Sequence, residues 1–230
     1  MSPSLAPYHL PDPLQNRDGS RVENKAQWRA RRAEILGLFE ENVYGKMPAS
    51  SASPRFETLE TNAGALGKRA TRRQIAIHLS GNGKDLTLHL LLYLPNQIEG
   101  AVPVFLGLNF GGNHTVSNDE GILLPPQALE SARSKAAARW PIERVLDCGY
   151  GLATLWCADS DPDFDDGFQN GVHPLFYRAG QNRPAENEWG TLGAWAWSLS
   201  RALDALETQE GVDAERVAVV GHSRLGKAAL

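Results

Sequence analysis

Cysteine, excess basic charge and long apolar runs are all scarce in this sequence, and each shortage closes a class of explanation. Cys148 and Cys157 are the only two cysteines in 230 residues. Their positions beside or inside apolar runs predict free buried thiols rather than a disulfide framework. No stretch approaches the roughly 18 apolar residues of a membrane-spanning helix. The opening MSPSLAPYHLPDPL lacks a charged segment followed by an apolar one, so no signal peptide is expected in it. The formal net charge of -4 argues against a nucleic-acid partner. The densest basic cluster, Lys25, Arg29, Arg31 and Arg32, is matched by Glu34, Glu40 and Glu41 on the same predicted helix, which reads as a solvated face. Neither a repeat nor a long polar linker interrupts the chain. With 42% hydrophobic content it can bury a sizeable core, so one domain over residues 1–230 is expected.

What is present alternates between strand and helix signals. Residues 25–44 place Trp28, Ile35, Leu36, Phe39 and Val43 at helical spacing and stop at Gly45 and Pro48, predicting a surface helix packed on a core. RRQIAIHL (72–79) and LTLHLLLYL (86–94) are β-rich and flank a turn-rich loop at 80–85, predicting an antiparallel hairpin. VPVFLGLNF from Val102 and GLATLWC from Gly151 read as strands of a parallel sheet, separated by a helical pattern over 128–146. A second helix is predicted over 191–207, with Leu192, Trp195, Leu199, Leu203 and Leu206 on one stripe, and a fifth strand over 217–220. The tryptophans are expected in the core. Hairpin first, crossover helices next, then a serine after the fifth strand is the order of an α/β-hydrolase fold.

That serine lies in RVAVVGHSRLGKAAL, residues 216–230, where an apolar strand runs into a glycine and then into a predicted helix. A sharp strand-to-helix turn of this kind holds a hydroxyl clear of the sheet, near backbone amides that favour negative charge. Ser223 is therefore the expected nucleophile. The Arg224 amide follows it directly and can point at an oxyanion. Lys227 stands one helical turn further on, on the same face. The general G-x-S-x-G pattern is not met, because the second glycine, Gly226, comes one place late.

The narrower pattern Gly-x-Ser-Arg-x-Gly-Lys, formed by Gly221, Ser223, Arg224, Gly226 and Lys227, resembles the elbow of the glucuronoyl esterases, carbohydrate esterase family 15, especially its bacterial branch. Further blocks resemble the same family: YHLPDPL at Tyr8, NVYGKMP at Asn42, LGLNFGGNHTV at Leu106, DPDFDDGFQNGVHPLF at Asp161 and WGTLGAWAWSLSRALDALET at Trp189. The resemblance implies that Ser223 is acylated, that the Arg224 guanidinium stabilises the oxyanion, and that Lys227 binds hydroxyls of a glucuronate. It implies as substrate the ester link between 4-O-methyl-glucuronate on glucuronoxylan and lignin alcohols. No cofactor, metal, nucleic acid or membrane is implied, and the intact protein is expected to be a monomer, secreted or periplasmic.

The remaining polar motifs are read more plainly. Asn109 to His114 sits where this fold supplies a second oxyanion donor, and is expected to shape the pocket wall ahead of donating directly. Asp159, Asp161, Asp163, Asp165 and Asp166 invite a calcium reading, but Gly167 falls one place late for an EF-hand and Val172 stands where its glutamate should be, so a hydrogen-bonded loop is expected. His9, His78, His89, His114, His173 and His222 all precede or adjoin the serine, whereas this fold places acid and then histidine after it. The sequence thus predicts a chain truncated after its elbow, inactive as it stands, with residues 217–220 forming an open apolar edge. Competing readings are a broader carboxylesterase such as an acetyl xylan esterase and a noncatalytic carbohydrate-binding fragment. A third is a phosphate-binding G-x-x-x-x-G-K-[ST] loop, from which Ala228 lacks the required hydroxyl.

Overall fold

A computed structural model describes residues 10–48, 53–125 and 128–230, which leaves His9 outside the described residues. Six strands form one mixed sheet in the order β1-β2-β3-β5-β4-β6. β1 (Arg55–Gly64), β2 (Ala70–Gly81) and β3 (Lys84–Pro95) are antiparallel to one another. β5 (Gly151–Trp156) pairs antiparallel with β3 and parallel with β4 (Val102–Asn109), and β6 (Val212–Val220) runs parallel along the other side of β4.

Alternation along β3 explains how the sheet is covered on both faces, since successive side chains point opposite ways. Leu90 and Leu92 join Trp195, Leu199 and Leu206 of the long helix, while Leu91 and Tyr93 join Val116, Ile122, Ile142 and Leu146 on the other face. That helix, here α3, spans Thr191–Glu207 as the spacing predicts, and Gly211 (φ 83°) turns the chain into β6. Trp189, Trp195 and Trp197 are buried as expected, but Trp28 is 37% exposed.

Several sequence expectations need correction. The hairpin loop is shorter than 80–85: Asn82 and Gly83 (φ 50° and 70°) form a two-residue turn between paired Gly81 and Lys84. Both central residues have positive φ, which asparagine and glycine tolerate best. β1 was not expected at all, because RFETLETNAG is polar and mostly exposed on an edge. It makes β6 the sixth strand rather than the fifth. Residues 128–146 are not one helix. Two single turns, Glu130–Ala132 and Ala137–Arg139, precede a short α2 (Ile142–Asp147). Ser134 has φ 61°, and Pro141 forbids the helical bond its N–H would have made.

α1 (Lys25–Phe39) continues into a π-turn, Glu40–Tyr44, but none of its residues is buried, against the expected packing on a core. At 100° per residue Trp28, Ile35, Leu36 and Phe39 fall within one arc, but Arg32 interrupts it, and the half-buried positions include Arg31 and Glu34 beside Ile35 and Leu38. Both cysteines are free, but only Cys157 is buried; Cys148 is exposed. Burial pushes the Cys157 thiol up to about 12.

Candidate active site

β4, β5 and β6 end side by side, and the chain leaving each contributes to one cluster. After β6, Ser223 adopts φ 56° and ψ -125°, a conformation that costs a non-glycine residue about 1–3 kcal/mol. Helix α4 (Arg224–Ala228) starts at the next residue. The turn is tight enough that a side chain at Gly221 would overlap the Leu225 carbonyl, and Gly226 lies directly against Gly221. Both glycines of the elbow therefore allow strand and helix to approach, and Ser223 is left exposed at the crest. α4 has only five residues, so its dipole is small.

The Arg224 side chain reaches back across the neighbouring strand ends. Its Nη2 donates to Asp163 Oδ2 at 2.8 Å, and its Cζ stands 5.2 Å from the centroid of the Phe110 ring. Phe110 opens the loop after β4, and its carbonyl accepts the Trp156 indole N–H at 2.9 Å. The Asn109 side chain anchors the same loop. It donates to Asn113 Oδ1 and Thr154 Oγ1 at 2.8 and 3.0 Å and accepts the Gly112 N–H at 2.7 Å. Beside the elbow opens an apolar cavity of about 750 Å³, walled in part by Phe110, Trp140, Val220 and His222.

The acidic stretch is a hydrogen-bonded loop. Asp165 accepts the Gly167 N–H at 3.0 Å, and Asp166 accepts those of Phe168 and Asn170 at 2.8 and 2.9 Å. Burial pushes the Asp166 carboxyl up, but those backbone donors outweigh it and hold the group below its ordinary range. Asp159 Oδ2 takes both the backbone N–H and Nδ1 of His89, at 3.1 Å each. Asp161 Oδ1 lies 3.2 Å from Nδ1 of fully buried His173, whose ring packs between Phe168 and Trp189. His78 bonds Glu57 and Thr87 across the sheet.

Known proteins resemble this chain over nearly its whole length. The profile described as "Glucuronyl esterase, fungi" matches residues 175–230. A carbohydrate esterase from an unidentified prokaryote is 42% identical over 97% of the chain and 55% of its own length. The solved glucuronoyl esterase of Solibacter usitatus superposes with a TM-score of 0.93 at 42% identity, over 98% of this chain and 60% of that one. Over nearly its whole length the chain is similar to glucuronoyl esterases of carbohydrate esterase family 15. Its fold is accordingly the α/β-hydrolase fold. A 4-O-methyl-glucuronoyl methylesterase of Podospora anserina is 28% identical over 96% of the chain and 37% of that relative, so the chain spans only part, 37% to 55%, of the length of these two relatives.

The structure brings Ser223 and Arg224 together at the elbow and sets Lys227 one turn along, its own N–H bonded to the Ser223 carbonyl at 3.2 Å. The Lys227 side chain is exposed, and its carbonyl accepts the Tyr44 hydroxyl at 2.9 Å. Sequence reasoning placed Phe110 in a loop shaping the pocket wall and Asp163 in the acidic loop, but did not link either to Arg224, nor Tyr44 to the elbow helix. A partner 61 residues from Arg224 leaves no local spacing to read, although DPDFDD standing after a strand marked the loop.

Proposed function

We propose that this chain carries the nucleophile and oxyanion machinery of a serine esterase acting on 4-O-methyl-glucuronoyl esters, the lignin–carbohydrate links of glucuronoxylan, in a secreted or periplasmic setting. The observation that carries the reading is Ser223, held at φ 56° on a glycine-packed strand-to-helix turn with an arginine as its neighbour. A non-glycine residue stays in such a conformation only where the surroundings over-determine it.

Ser223 Oγ attacks the carbonyl carbon of the glucuronate ester and gives up its proton to a general base. In this fold that base is a histidine placed after the serine in chain order. The carbonyl oxygen becomes an oxyanion, which the Arg224 amide and guanidinium stabilise. Collapse breaks the bond to the alcohol, which leaves with a proton. Water then attacks the glucuronoyl-serine ester, releasing the carboxylate and restoring the hydroxyl. Lys227 meets the sugar hydroxyls from the next turn of α4. No step calls for a cofactor.

Support comes from the Podospora anserina relative, whose activity is named as 4-O-methyl-glucuronoyl methylesterase. The test is Ser223→Ala in the longest form the gene encodes. Turnover of methyl glucuronate should fall to background while the far-UV spectrum is unchanged, and near wild-type activity would remove Ser223 from the reaction. Equal or faster turnover of acetyl-xylan by the parent would move the assignment to a broader carboxylesterase.

A further inference from the structure

Arginine is a poor oxyanion donor unless something fixes it. Its side chain carries about 2 kcal/mol of rotamer entropy, whereas transition-state stabilisation requires donors already in place. At 55% side-chain exposure, Arg224 has little packing to hold it. We propose that Asp163 and Phe110 are positioning residues that clamp the Arg224 guanidinium at the elbow, leaving its other donors free for the ester's carbonyl oxygen. The proposal rests on the esterase reading above.

The clamp is built from two directions. Asp163 takes Nη2 end-on at 2.8 Å, while the Phe110 ring supports the guanidinium at 5.2 Å, within the range of cation–π attraction. Among the described residues, Nε and Nη1 of Arg224 have no hydrogen-bond partner. Both jaws are themselves tied down. Phe110 is fixed through its carbonyl by Trp156, and the acidic loop is pinned two residues before Asp163, where the Asp161 carbonyl accepts the indole N–H of buried Trp195 at 2.9 Å. Phe110, Asp163 and Arg224 leave the ends of three adjacent strands, so the rigidity of the sheet reaches the guanidinium through short loops.

A carboxylate beside the guanidinium has two opposing effects. It fixes the group in space, and it lowers the net positive field an oxyanion feels. Placement and field thus predict opposite signs for charge removal at Asp163. If placement dominates, Asp163→Asn slows the reaction; if field dominates, the same change speeds it.

The experiment measures kcat and KM on methyl glucuronate for Asp163→Asn, Asp163→Glu and Phe110→Leu in the longest form the gene encodes, each alone and combined with Arg224→Gln. Asp163→Asn should lower kcat about tenfold with KM within about twofold, because the ground-state ester carries no oxyanion for Arg224 to meet. Asp163→Glu should restore part of that loss, and Phe110→Leu should lower kcat by a smaller factor. In the Arg224→Gln background neither jaw should matter further, since the group they hold is gone. A rise in kcat for Asp163→Asn, or an undiminished loss in the Arg224→Gln background, would overturn the clamp. Should the parent hydrolyse no ester, the esterase reading fails, and the clamp is then decided by the Arg224 Nε–H resonance, identified by its disappearance in Arg224→Lys. Faster solvent exchange of that proton in Asp163→Asn supports the clamp, and unchanged exchange overturns it.

Discussion

Two arginines in this molecule meet carboxylates in opposite ways. Arg72 on β2 is 3% exposed and uses its whole fork: Nε and Nη2 reach Glu60 at 3.2 and 2.9 Å, and Nη1 reaches Asp119 at 2.5 Å. Tyr93 adds a hydroxyl bond to Asp119 at 2.7 Å, and Gly121 lies so close that any side chain there would overlap the guanidinium. Arg224 is half exposed and uses one nitrogen on one carboxylate. An arginine with all three nitrogens engaged is a fastener, joining β1, β2 and the loop through Asp119. One with donors to spare is available for a ligand.

The largest expected effect of breaking this contrast is on the fastener. Arg72→Met should cost about 3–5 kcal/mol of unfolding free energy in urea, because it leaves Glu60 and Asp119 without their cation; a loss under about 1 kcal/mol would mean the network is solvated and the contrast unreal. pH gives the same answer from another side. Burial pushes Asp119 up, but the bonds from Arg72 and Tyr93 outweigh it and hold its carboxyl below the usual range. A depressed carboxyl stabilises the fold above its unfolded value, about 3.9, and that contribution is lost as pH falls through the folded value. The acid limb of the stability curve should therefore be shallower in Arg72→Met than in the parent.

Arg224→Ala should do the reverse. Losing an oxyanion donor typically lowers kcat about 100- to 1,000-fold, whereas an exposed pair contributes under about 1 kcal/mol to stability. A clear drop in the urea midpoint, or a rise in KM with kcat intact, would make Arg224 another fastener or a substrate-binding group.

His89 is an intermediate case, its side chain 39% exposed against a nearly buried Asp159. The bond to Asp159 raises the imidazole's pKa, against the pull of burial. A raised histidine stabilises the fold fully below its unfolded value, about 6.5, and the contribution fades as pH climbs through the folded value. Stability should thus decline modestly as pH rises past 6.5, and His89→Gln should remove that slope; a parent curve flat across this region would show the pair to be fully solvated.

Legibility followed periodicity. α3 was legible because apolar positions recur every three or four residues from Leu192 to Leu206 and Gly211 stands beyond them. β3, β4 and β5 were evident as apolar runs. β1 was hidden because an edge strand open to water keeps no apolar alternation, and residues 128–146 misled because alanines and arginines favour helix while Pro141 and the left-handed Ser134 set the actual path. At the site, the strand-to-helix turn carrying Ser223, Arg224 and Lys227 was readable because its signals are local. The Arg72 network and the Asp163 jaw were not, since each depends on which strands become neighbours.

The Tyr44 hydroxyl and the Lys227 carbonyl join positions 183 residues apart, next to a bridge between Lys46 and Glu188. Contacts of such separation close large loops and form late, whereas the hairpin of β2 and β3 needs only its two-residue turn and closes within microseconds. On a ribosome, the hairpin can fold while the rest of the chain is still being made. The elbow helix cannot be moored to the π-turn until Lys227 itself has emerged. The strained turn at Ser223 is therefore fixed only after the hairpin, so a nascent chain carries this serine unstrained until the segments around it have met.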